Sequence, residues 1–344
     1  MSATSASSTN SSPDSKTDES RTERPAPAGG APIRIGVSAC LLGDAVRWDG
    51  GHKRDRFVDD ELGRFVEFVR VCPEVESGLT VPRPTLRLVG TPEAPSLVFG
   101  ESGADYTPTL LAWARKRVEA LAELDLCGYV LKSDSPSCGM ERVKVYGKGG
   151  MSVRKGRGIF AQVLIERFPL LPVEEEGRLN DAKLRETFVE RVFAHRRWRD
   201  FEAQPWSLGR LVAFHAAHKY LLLAHSPEHY ASLGRLVAEG KKLGRAQLRE
   251  QYGRGFAEAM ARPATRGRHM NVLQHMAGYF REQLDEPSRA ELHQTFADYR
   301  AGLVPLVVPL TLVRHHVRRL GVVYLACQVY LDPHPKELML RNHV

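Results

Sequence analysis

Three of the five cysteines in this chain occupy similar positions, each shortly after a short apolar run. Cys40 follows residues 33–38, Cys72 follows 68–71, and Cys138 lies in the loop after 126–131. The three runs predict strands. Ligands of open α/β sheets bind beyond the carboxyl ends of the strands, so we expect the three thiols to meet in one pocket. Such thiols suit zinc or an iron–sulfur centre, and three ligands leave one metal position open.

The spacing of these cysteines leaves several interpretations open, because they form no Cys-x-x-Cys pair. They are consistent with a shared metal site, with a single reactive nucleophile, or with buried thiols that only fill the core. Cys127 lies inside a predicted strand, and Cys327 lies on a predicted C-terminal helix. We therefore expect both of these in the core.

Polar side chains accompany the three thiols. Glu74, two residues after Cys72, is either a proton carrier or a solvated loop residue. Ser135 and Ser137 precede Cys138 and either orient substrate and water or simply form a turn. The loop after Cys40 is either exposed or holds a polar heterocycle through Asp44, Arg47, Asp49 and His52.

The predicted secondary structure divides the chain into two unlike halves. Up to about residue 178, the predicted strands alternate with helices at 61–68 and 109–124, which indicates a largely parallel, Rossmann-like α/β sheet. Helical periodicity then continues to the C-terminus, with helices predicted at 181–198, 207–225, 228–240, 245–260, 266–284, 287–300, 309–320 and 321–330. We predict a disordered tail at 1–31, an α/β domain with a linker helix at 32–199, and an all-α domain at 200–344.

Composition restricts the class of protein. With 42% hydrophobic and 26% charged residues, the 344-residue chain resembles ordinary globular proteins. The sequence contains no apolar run of the roughly 18 residues that a membrane span needs, so no membrane association is expected. Five cysteines are too few for a disulfide-stapled secreted protein, which favours a cytoplasmic location.

The positive charge is concentrated in the helical half and suggests a polyanionic partner. Of a formal net charge of +8, residues 200–344 carry +6, from 19 Lys and Arg against 13 Asp and Glu. Basic residues bind phosphate without reading sequence, although each group is equally consistent with a solvated face. The candidate RNA-binding residues are Lys241, Lys242, Arg262, Arg266, Arg268, His269, Arg314, Arg318 and Arg319.

Several motifs carry a family resemblance. The segments 37–43, 47–53 and 82–84, together with Cys72-Pro-Glu74 and Ser135-Pro-Ser-Cys-Gly139, resemble the thiouracil desulfurase family. The segments 214–220, 271–275 and 330–335 are similar to a helical domain of the YbgA type. The fused pair resembles bacterial tRNA 4-thiouridine desulfidases.

The resemblance implies that Cys40, Cys72 and Cys138 hold a 4Fe–4S cluster whose fourth iron is free. It implies catalytic roles for Glu74 and Ser135, although Ser137 is a second candidate for the serine. It predicts hydrolytic removal of sulfur from 4-thiouridine in tRNA, with the soft thiocarbonyl sulfur bound to the open iron and attack by water. No dinucleotide cofactor is expected. The substrate pocket would contain Asp44, Arg47, Asp49, His52 and Ser137.

Two alternatives remain at this stage. The first is an enzyme acting on free thiouracils or thionucleosides. The second is a non-enzymatic iron–sulfur protein that binds RNA or senses redox state, although Glu74 and the hydroxyls around three cysteines argue against it.

Overall fold

The computed structural model describes residues 32–147 and 149–344, so the predicted disordered tail at 1–31 lies outside the described residues. The described strands are β1 Arg34–Ser38, β2 Glu67–Val71, β3 Leu86–Thr91, β4 Ala94–Phe99, β5 Leu126–Leu131, β6 Val143–Tyr146, β7 Ser152–Gly156 and β8 Val173–Glu175. The helices are α1 Pro73–Glu76, α2 Thr107–Ala122, α3 Ile159–Arg167, α4 Ala182–Glu202, α5 Leu208–His225, α6 Pro227–Ala238, α7 Arg245–Met260, α8 Arg266–Ala277, α9 Glu286–Ala301, α10 Val307–Arg319 and α11 Val323–Ala326.

The main sheet is parallel throughout and has the strand order β2-β1-β5-β8. All six residues of β5 are buried, as expected for a central strand covered on both faces. This confirms the predicted α/β class. Because β2, β1 and β5 are neighbours and run in the same direction, the loops that follow them meet at one edge of the sheet.

A second sheet with the order β4-β3-β6-β7 was not predicted as a unit. Its strands β3 and β4 form an antiparallel hairpin whose segment carries Pro92 and Pro95, so the sequence there resembles a loop. One face is apolar, because Leu88, Val143 and Val145 pack against Leu110 of α2.

The predicted all-α C-terminal half is confirmed, with changes at two elements. The predicted helix 266–284 ends as α8 at Ala277, and 321–330 contains only the short α11. In the α/β half, residues 61–68 do not form the predicted helix, because a π-helical turn at Phe57–Glu61 and a 3₁₀ turn at Leu62–Arg64 precede β2. Among the described helices, none has the length and apolar character needed to cross a membrane.

The two remaining cysteines behave differently from each other. Cys127 is fully buried in β5, as predicted. Cys327 is exposed, so its predicted core position is wrong. The reason is that α11 ends at Ala326, so Cys327 lies just beyond its last turn, between the core residues Leu325 and Tyr330.

The α/β and helical halves are joined through α4 and the C-terminal segment. On α4, Phe188 and Val192 pack into the α/β core, whereas Trp198 packs into the helical core. Arg341 donates hydrogen bonds to Glu186 at 3.2 Å and to Glu190 at 2.9 Å. All three of these charged side chains are buried, so each compensates the desolvation of the others.

Candidate active site

A cavity of about 350 Å³ lies at the carboxyl edge of β2, β1 and β5. Cys40, Cys72 and Cys138 all line it. The structure therefore brings together the three thiols that the sequence placed after three separate strands. Glu74, Ser135 and Arg47 line the same cavity.

Local backbone structure holds each cysteine. Cys40 lies in a 3₁₀ turn at Ala39–Leu42, and its carbonyl accepts the Lys53 N–H at 2.9 Å. Cys72 directly precedes α1, and its N–H donates to Glu76 Oε1 at 2.9 Å. The N–H of Cys138 donates to Ser135 Oγ at 3.1 Å. The backbone of each cysteine is thus fixed by at least one hydrogen bond.

The loop at 132–139 is fixed to the start of α3. The carbonyl of Ser137 accepts N–H groups of Phe160 at 3.0 Å and Ala161 at 3.3 Å. Gly158 is needed for this close approach, because a Cβ there would lie 2.6 Å from the backbone carbon and oxygen of Ser137. The position of Cys138 therefore depends on a glycine 20 residues further along the chain.

The thiols are largely removed from solvent, with Cys40 and Cys138 buried and Cys72 half-buried. Burial raises the pKa of the Cys40 thiol to about 11 and raises the pKa of Cys138 well above its ordinary value. Burial also raises the pKa of Cys72. The charge of neighbouring cysteines contributes to the shifts of Cys40 and Cys138, since the three thiols are mutual neighbours. A positively charged metal centre would reverse this effect and favour thiolates.

Three thiols on one cavity offer the donor set that an iron–sulfur centre uses, and a set of three leaves one iron without a protein ligand. A tetrahedral zinc ion with one open position would use the same donor set.

Glu74 is held from two sides. Its Oε1 accepts the Ser137 hydroxyl at 2.9 Å. Its Oε2 accepts two bonds from Arg83, from Nε at 2.9 Å and from Nη2 at 2.7 Å. The Arg83 side chain is only 3% exposed and is fixed by the Val46 carbonyl at 2.9 Å. The carboxylate is therefore pre-positioned beside Cys72, and Oε1 retains acceptor capacity toward the cavity.

The two serines have different positions. Ser135 lines the cavity, and its Oγ accepts the N–H groups of Ser137 at 3.2 Å and Cys138 at 3.1 Å. Its hydroxyl proton has no acceptor among the described residues and can be directed into the cavity. Ser137 is fully buried, faces Glu74 and does not line the cavity.

The predicted substrate-binding loop is only partly at the cavity. Arg47 lines it, whereas Asp44 pairs with Arg70 outside. Asp49 accepts the Gly51 N–H at 3.1 Å, and exposed His52 accepts the Arg54 N–H at 3.3 Å. Asp44, Asp49 and His52 therefore have local partners rather than a place on the cavity wall.

Sequence reasoning did not assign roles to Arg83, Lys53 or Lys132, which also line the cavity. Lys132 Nζ donates a hydrogen bond to Glu176 Oε1 at 2.5 Å, which links the loop after β5 to the segment after β8. Arg83 lies inside the segment 82–84, which carries part of the family resemblance, and Lys132 directly follows β5. These positions were the available signal, but the sequence predicted no partner for either charge.

The predicted RNA-binding residues fall into two groups. The exposed group consists of Lys241, Lys242, Arg262, Arg266, Arg318 and Arg319. The others have intramolecular partners. Arg268 donates to the His225 carbonyl at 2.7 Å, and Arg314 pairs with Asp332 at 2.8 Å.

His269, which was predicted to bind RNA, does not lie on the surface. It is 3% exposed, and its Nδ1 lies 2.8 Å from the Tyr330 hydroxyl. Burial lowers the pKa of His269 to about 3, so the ring is neutral. A buried neutral ring offers no contact to a polyanion, and this corrects the predicted RNA contact.

Comparison with known proteins agrees with this arrangement. Residues 35–176 match the family model described as 2-thiouracil desulfurase, and 219–335 match a family model for a protein of unknown function, DUF1722. The uncharacterized protein YbbK of Bacillus subtilis (strain 168) is 30% identical over 156 residues, which cover 42% of this chain and 97% of YbbK. The uncharacterized protein YbgA of Escherichia coli (strain K12) is 28% identical over 165 residues, covering 48% of this chain and 98% of YbgA.

A solved structure, the [4Fe-4S]-dependent thiouracil desulfidase TudS, shares 33% identity with a TM-score of 0.36 and covers 43% of this chain and 94% of that chain. The α/β fold and its three-cysteine cavity place this protein in the desulfurase class. The chain belongs to the 2-thiouracil desulfurase family through residues 35–176, and a DUF1722 region follows. The predicted family resemblance is thereby confirmed.

Proposed function

We propose that this protein removes sulfur from 4-thiouridine in tRNA and leaves uridine. The observation that carries the proposal is the convergence of Cys40, Cys72 and Cys138 with Glu74 in one cavity. The overall reaction takes up one water and releases one hydrogen sulfide, so that C=S becomes C=O without a redox change. The family of the α/β domain supports the reaction type.

The cofactor in this proposal is a 4Fe–4S cluster held by Cys40, Cys72 and Cys138. Three protein thiolates leave one iron without a protein ligand. The bound cluster supplies a soft Lewis acid for the thiocarbonyl sulfur, which makes the ring carbon more electrophilic. The buried surroundings of the thiols exclude water from the protein side of the centre.

Glu74 acts as the proton carrier. Ser137 and Arg83 fix the orientation of the carboxylate, so that Oε1 can accept a proton from a water entering the cavity. The same carboxyl group then returns the proton to the departing sulfur. Because Arg83 is buried and already bonded to the Val46 carbonyl, Glu74 does not need to reorganise during the reaction.

Ser135 contacts the substrate. Its Oγ accepts the backbone N–H groups of Ser137 and Cys138. Because Oγ acts only as an acceptor in these two bonds, its hydroxyl proton can be donated to a ring oxygen or nitrogen of the substrate. Arg47 and Lys132 supply positive charge on the cavity wall. Asp44, Asp49, His52 and Ser137 are not included in the substrate contacts, because none of them lines the cavity.

The helical half contributes tRNA binding in this proposal. Exposed cations lie on separate elements, with Lys241 and Lys242 after α6 and with Arg318 and Arg319 at the end of α10. Cations on a rigid scaffold neutralise phosphates and fix the orientation of the RNA. The cavity lined by the three cysteines would hold the cluster as well as the base, so the target nucleoside must leave its stack to reach it.

The experiment uses the full chain, reconstituted anaerobically with iron and sulfide. The Lys241→Gln/Lys242→Gln and Arg318→Gln/Arg319→Gln double variants should each raise the KM for thiolated tRNA several-fold. Their kcat/KM for free 4-thiouracil should equal the unmodified value, because their charges act only on phosphate. Equal loss on both substrates would contradict a role in tRNA binding.

Desulfuration of free thiouracil is a second candidate function, favoured by the family to which the α/β domain belongs. Salt dependence separates the two. Turnover of tRNA should fall steeply between about 50 and 200 mM salt, with a slope set by the number of phosphate contacts. A protein that makes roughly 6 to 10 such contacts loses about 10³- to 10⁵-fold in affinity over this range. Turnover of the uncharged base should change little.

A further inference from the structure

A row of positive side chains crosses the second sheet beside the candidate active site. Lys144 of β6 is directly paired with Arg154 of β7. On the other side of β6, Leu88 of β3 pairs with Val145 in parallel register, so the preceding residues Arg87 and Lys144 are neighbours. Because Leu88, Val143 and Val145 point into the core, the three cations share the outer face of the sheet.

These three cations line a second cavity of about 280 Å³ together with Tyr146. Leu86, Asp134 and Pro136 line both this cavity and the one that contains the cysteines. The two cavities are therefore adjacent at the loop that carries Ser135. The basic row lies beside the active-site cavity, and we call this side its entrance.

The charges in the row are largely uncompensated. Arg154 pairs with Asp134 at 3.0 Å. In the described part of the chain, no carboxylate lies within 4.0 Å of Arg87 or Lys144. Like charges directly opposite one another on adjacent strands are unfavourable, and a bound anion would relieve this repulsion. The Arg87 guanidinium lies 5.6 Å from the centre of the Tyr146 ring, which gives the row an aromatic surface as well.

We propose that Arg87, Lys144 and Tyr146 bind the RNA strand next to the target nucleotide, with the two cations on its phosphates and the ring available to an adjacent base. This inference rests on the proposed function, because it assumes that the substrate nucleotide is part of an RNA. Two cations in neighbouring positions match consecutive phosphates, and an aromatic ring beside them is the usual platform for an unstacked base. The row therefore holds the strand in the distorted state that delivers one base to the cavity.

The row differs from the predicted basic groups of the helical half in what it controls. Cations far from the reacting base contribute to affinity for any tRNA. Cations at the entrance act on the flanking phosphates only when the base is inserted. Their loss should therefore affect both KM and the salt dependence of turnover for tRNA, while a free base remains unaffected.

The test compares the Arg87→Gln/Lys144→Gln double variant with an Arg64→Gln/Lys116→Gln control that removes the same charge. Arg64 and Lys116 are exposed and do not line either cavity. The reconstituted full-length proteins are assayed on thiolated tRNA, 4-thiouridine monophosphate and free 4-thiouracil at several salt concentrations. We expect the entrance variant to raise the KM for tRNA about tenfold and to reduce the salt slope by about 1 to 2, because each phosphate contact contributes about 0.9.

Each outcome bears on the proposal. Unchanged KM and salt slope for tRNA in the entrance variant, relative to the control, would overturn it. A raised KM for the monophosphate without an effect on tRNA would show that the row binds a free nucleotide, which also overturns it. If the unmodified protein consumes free 4-thiouracil but not thiolated tRNA, the proposed function itself fails and the inference fails with it. A further variant, Tyr146→Leu, should weaken tRNA turnover without changing the salt slope.

Discussion

The hydroxyl of Ser137 donates a hydrogen bond to Oε1 of Glu74 at 2.9 Å across 63 positions of sequence. This bond connects the loop after β5, which carries Cys138, to α1, which Cys72 directly precedes. Arg83 holds the other carboxylate oxygen at 2.7 Å. The geometry of the proposed proton carrier is thus set by the same two loops that present Cys72 and Cys138.

The Glu74→Gln variant should retain the cluster and lose turnover. The amide preserves the shape of the side chain but cannot accept a proton, so kcat should fall by roughly 10²- to 10⁴-fold. Cluster content is measured by visible absorbance and iron analysis, and turnover by the loss of 4-thiouridine absorbance. Exposed Glu123 provides a control, since Glu123→Gln should leave both readouts unchanged. Full activity in Glu74→Gln would remove Glu74 from the mechanism.

The Ser137→Ala variant should separate positioning from substrate contact. Without the Ser137 hydroxyl, Oε1 of Glu74 loses its hydrogen-bond donor, while Arg83 still holds Oε2. The proton carrier is then less well oriented, so kcat should fall about tenfold with KM nearly unchanged. Ser135→Ala removes the hydroxyl that faces the cavity and should lower kcat further and raise KM. Steady-state kinetics on free 4-thiouracil give both constants. Identical kinetic changes in the two variants would contradict the different roles of these serines.

Serine substitutions at Cys40, Cys72 and Cys138 should each abolish normal cluster assembly. A hydroxyl is a poor ligand for iron at neutral pH, and three ligands offer no replacement among themselves. Cys127→Ser is the control, because Cys127 is a buried cysteine of the same sheet but lies outside the cavity. After anaerobic reconstitution, iron and acid-labile sulfide per chain should be normal in the control alone. Normal cluster content in Cys138→Ser would contradict the ligand set.

Acid should destabilise the helical half below about pH 6.5, because buried neutral histidines must become charged. Burial lowers the pKa of His218 to about 3 and the pKa of His269 to about 3, against an ordinary value of 6.5. Between those limits the unfolded chain binds more protons than the folded one. Stability is therefore intact above pH 6.5 and is lost as the pH falls toward 3, at up to about 1.4 kcal/mol per pH unit for each histidine.

The His218→Phe variant tests this dependence. His218 stacks on Phe214 with ring centres 4.0 Å apart, and its buried Nε2 has no partner in the described part of the chain, so a phenyl ring is a compatible replacement. Urea unfolding between pH 7.5 and 4.5, followed by circular dichroism, should show a shallower loss of stability in the variant. An unchanged slope in His218→Phe would show that His218 does not titrate on unfolding.

The sequence predicted those features of the fold that depend on local periodicity. The apolar run of β5 and the 3.6-residue pattern of α7 are visible in the sequence, and α7 agrees with its predicted range of 245–260. The second sheet was not visible, because β3 and β4 contain Gly90 and Pro95 and because the outer face of β6 and β7 is basic. Its stability comes from contacts with α2, which no local pattern reports.

The site was predictable to the extent that it follows from strand ends and motifs. The convergence of Cys40, Cys72 and Cys138 follows from the parallel sheet. The partners of Glu74 did not follow, because Arg83 is fixed by the carbonyl of Val46 and Ser137 by the approach of α3. The position of His269 beside Arg268 predicts an RNA-binding residue, but on the folded helix its side chain contacts Tyr330. Side-chain direction on an irregularly packed helix depends on neighbours far away in the sequence.

The most direct test of the account is anaerobic reconstitution of the full chain with iron and sulfide, followed by incubation with bulk bacterial tRNA. The near-ultraviolet absorbance of 4-thiouridine reports the reaction, and hydrogen sulfide is measured in parallel. The account predicts that this absorbance disappears with equimolar sulfide release only when the cluster is present, and that Glu74→Gln abolishes both. Persistence of the absorbance in tRNA with an intact cluster, while free 4-thiouracil is consumed, would contradict the proposed tRNA substrate.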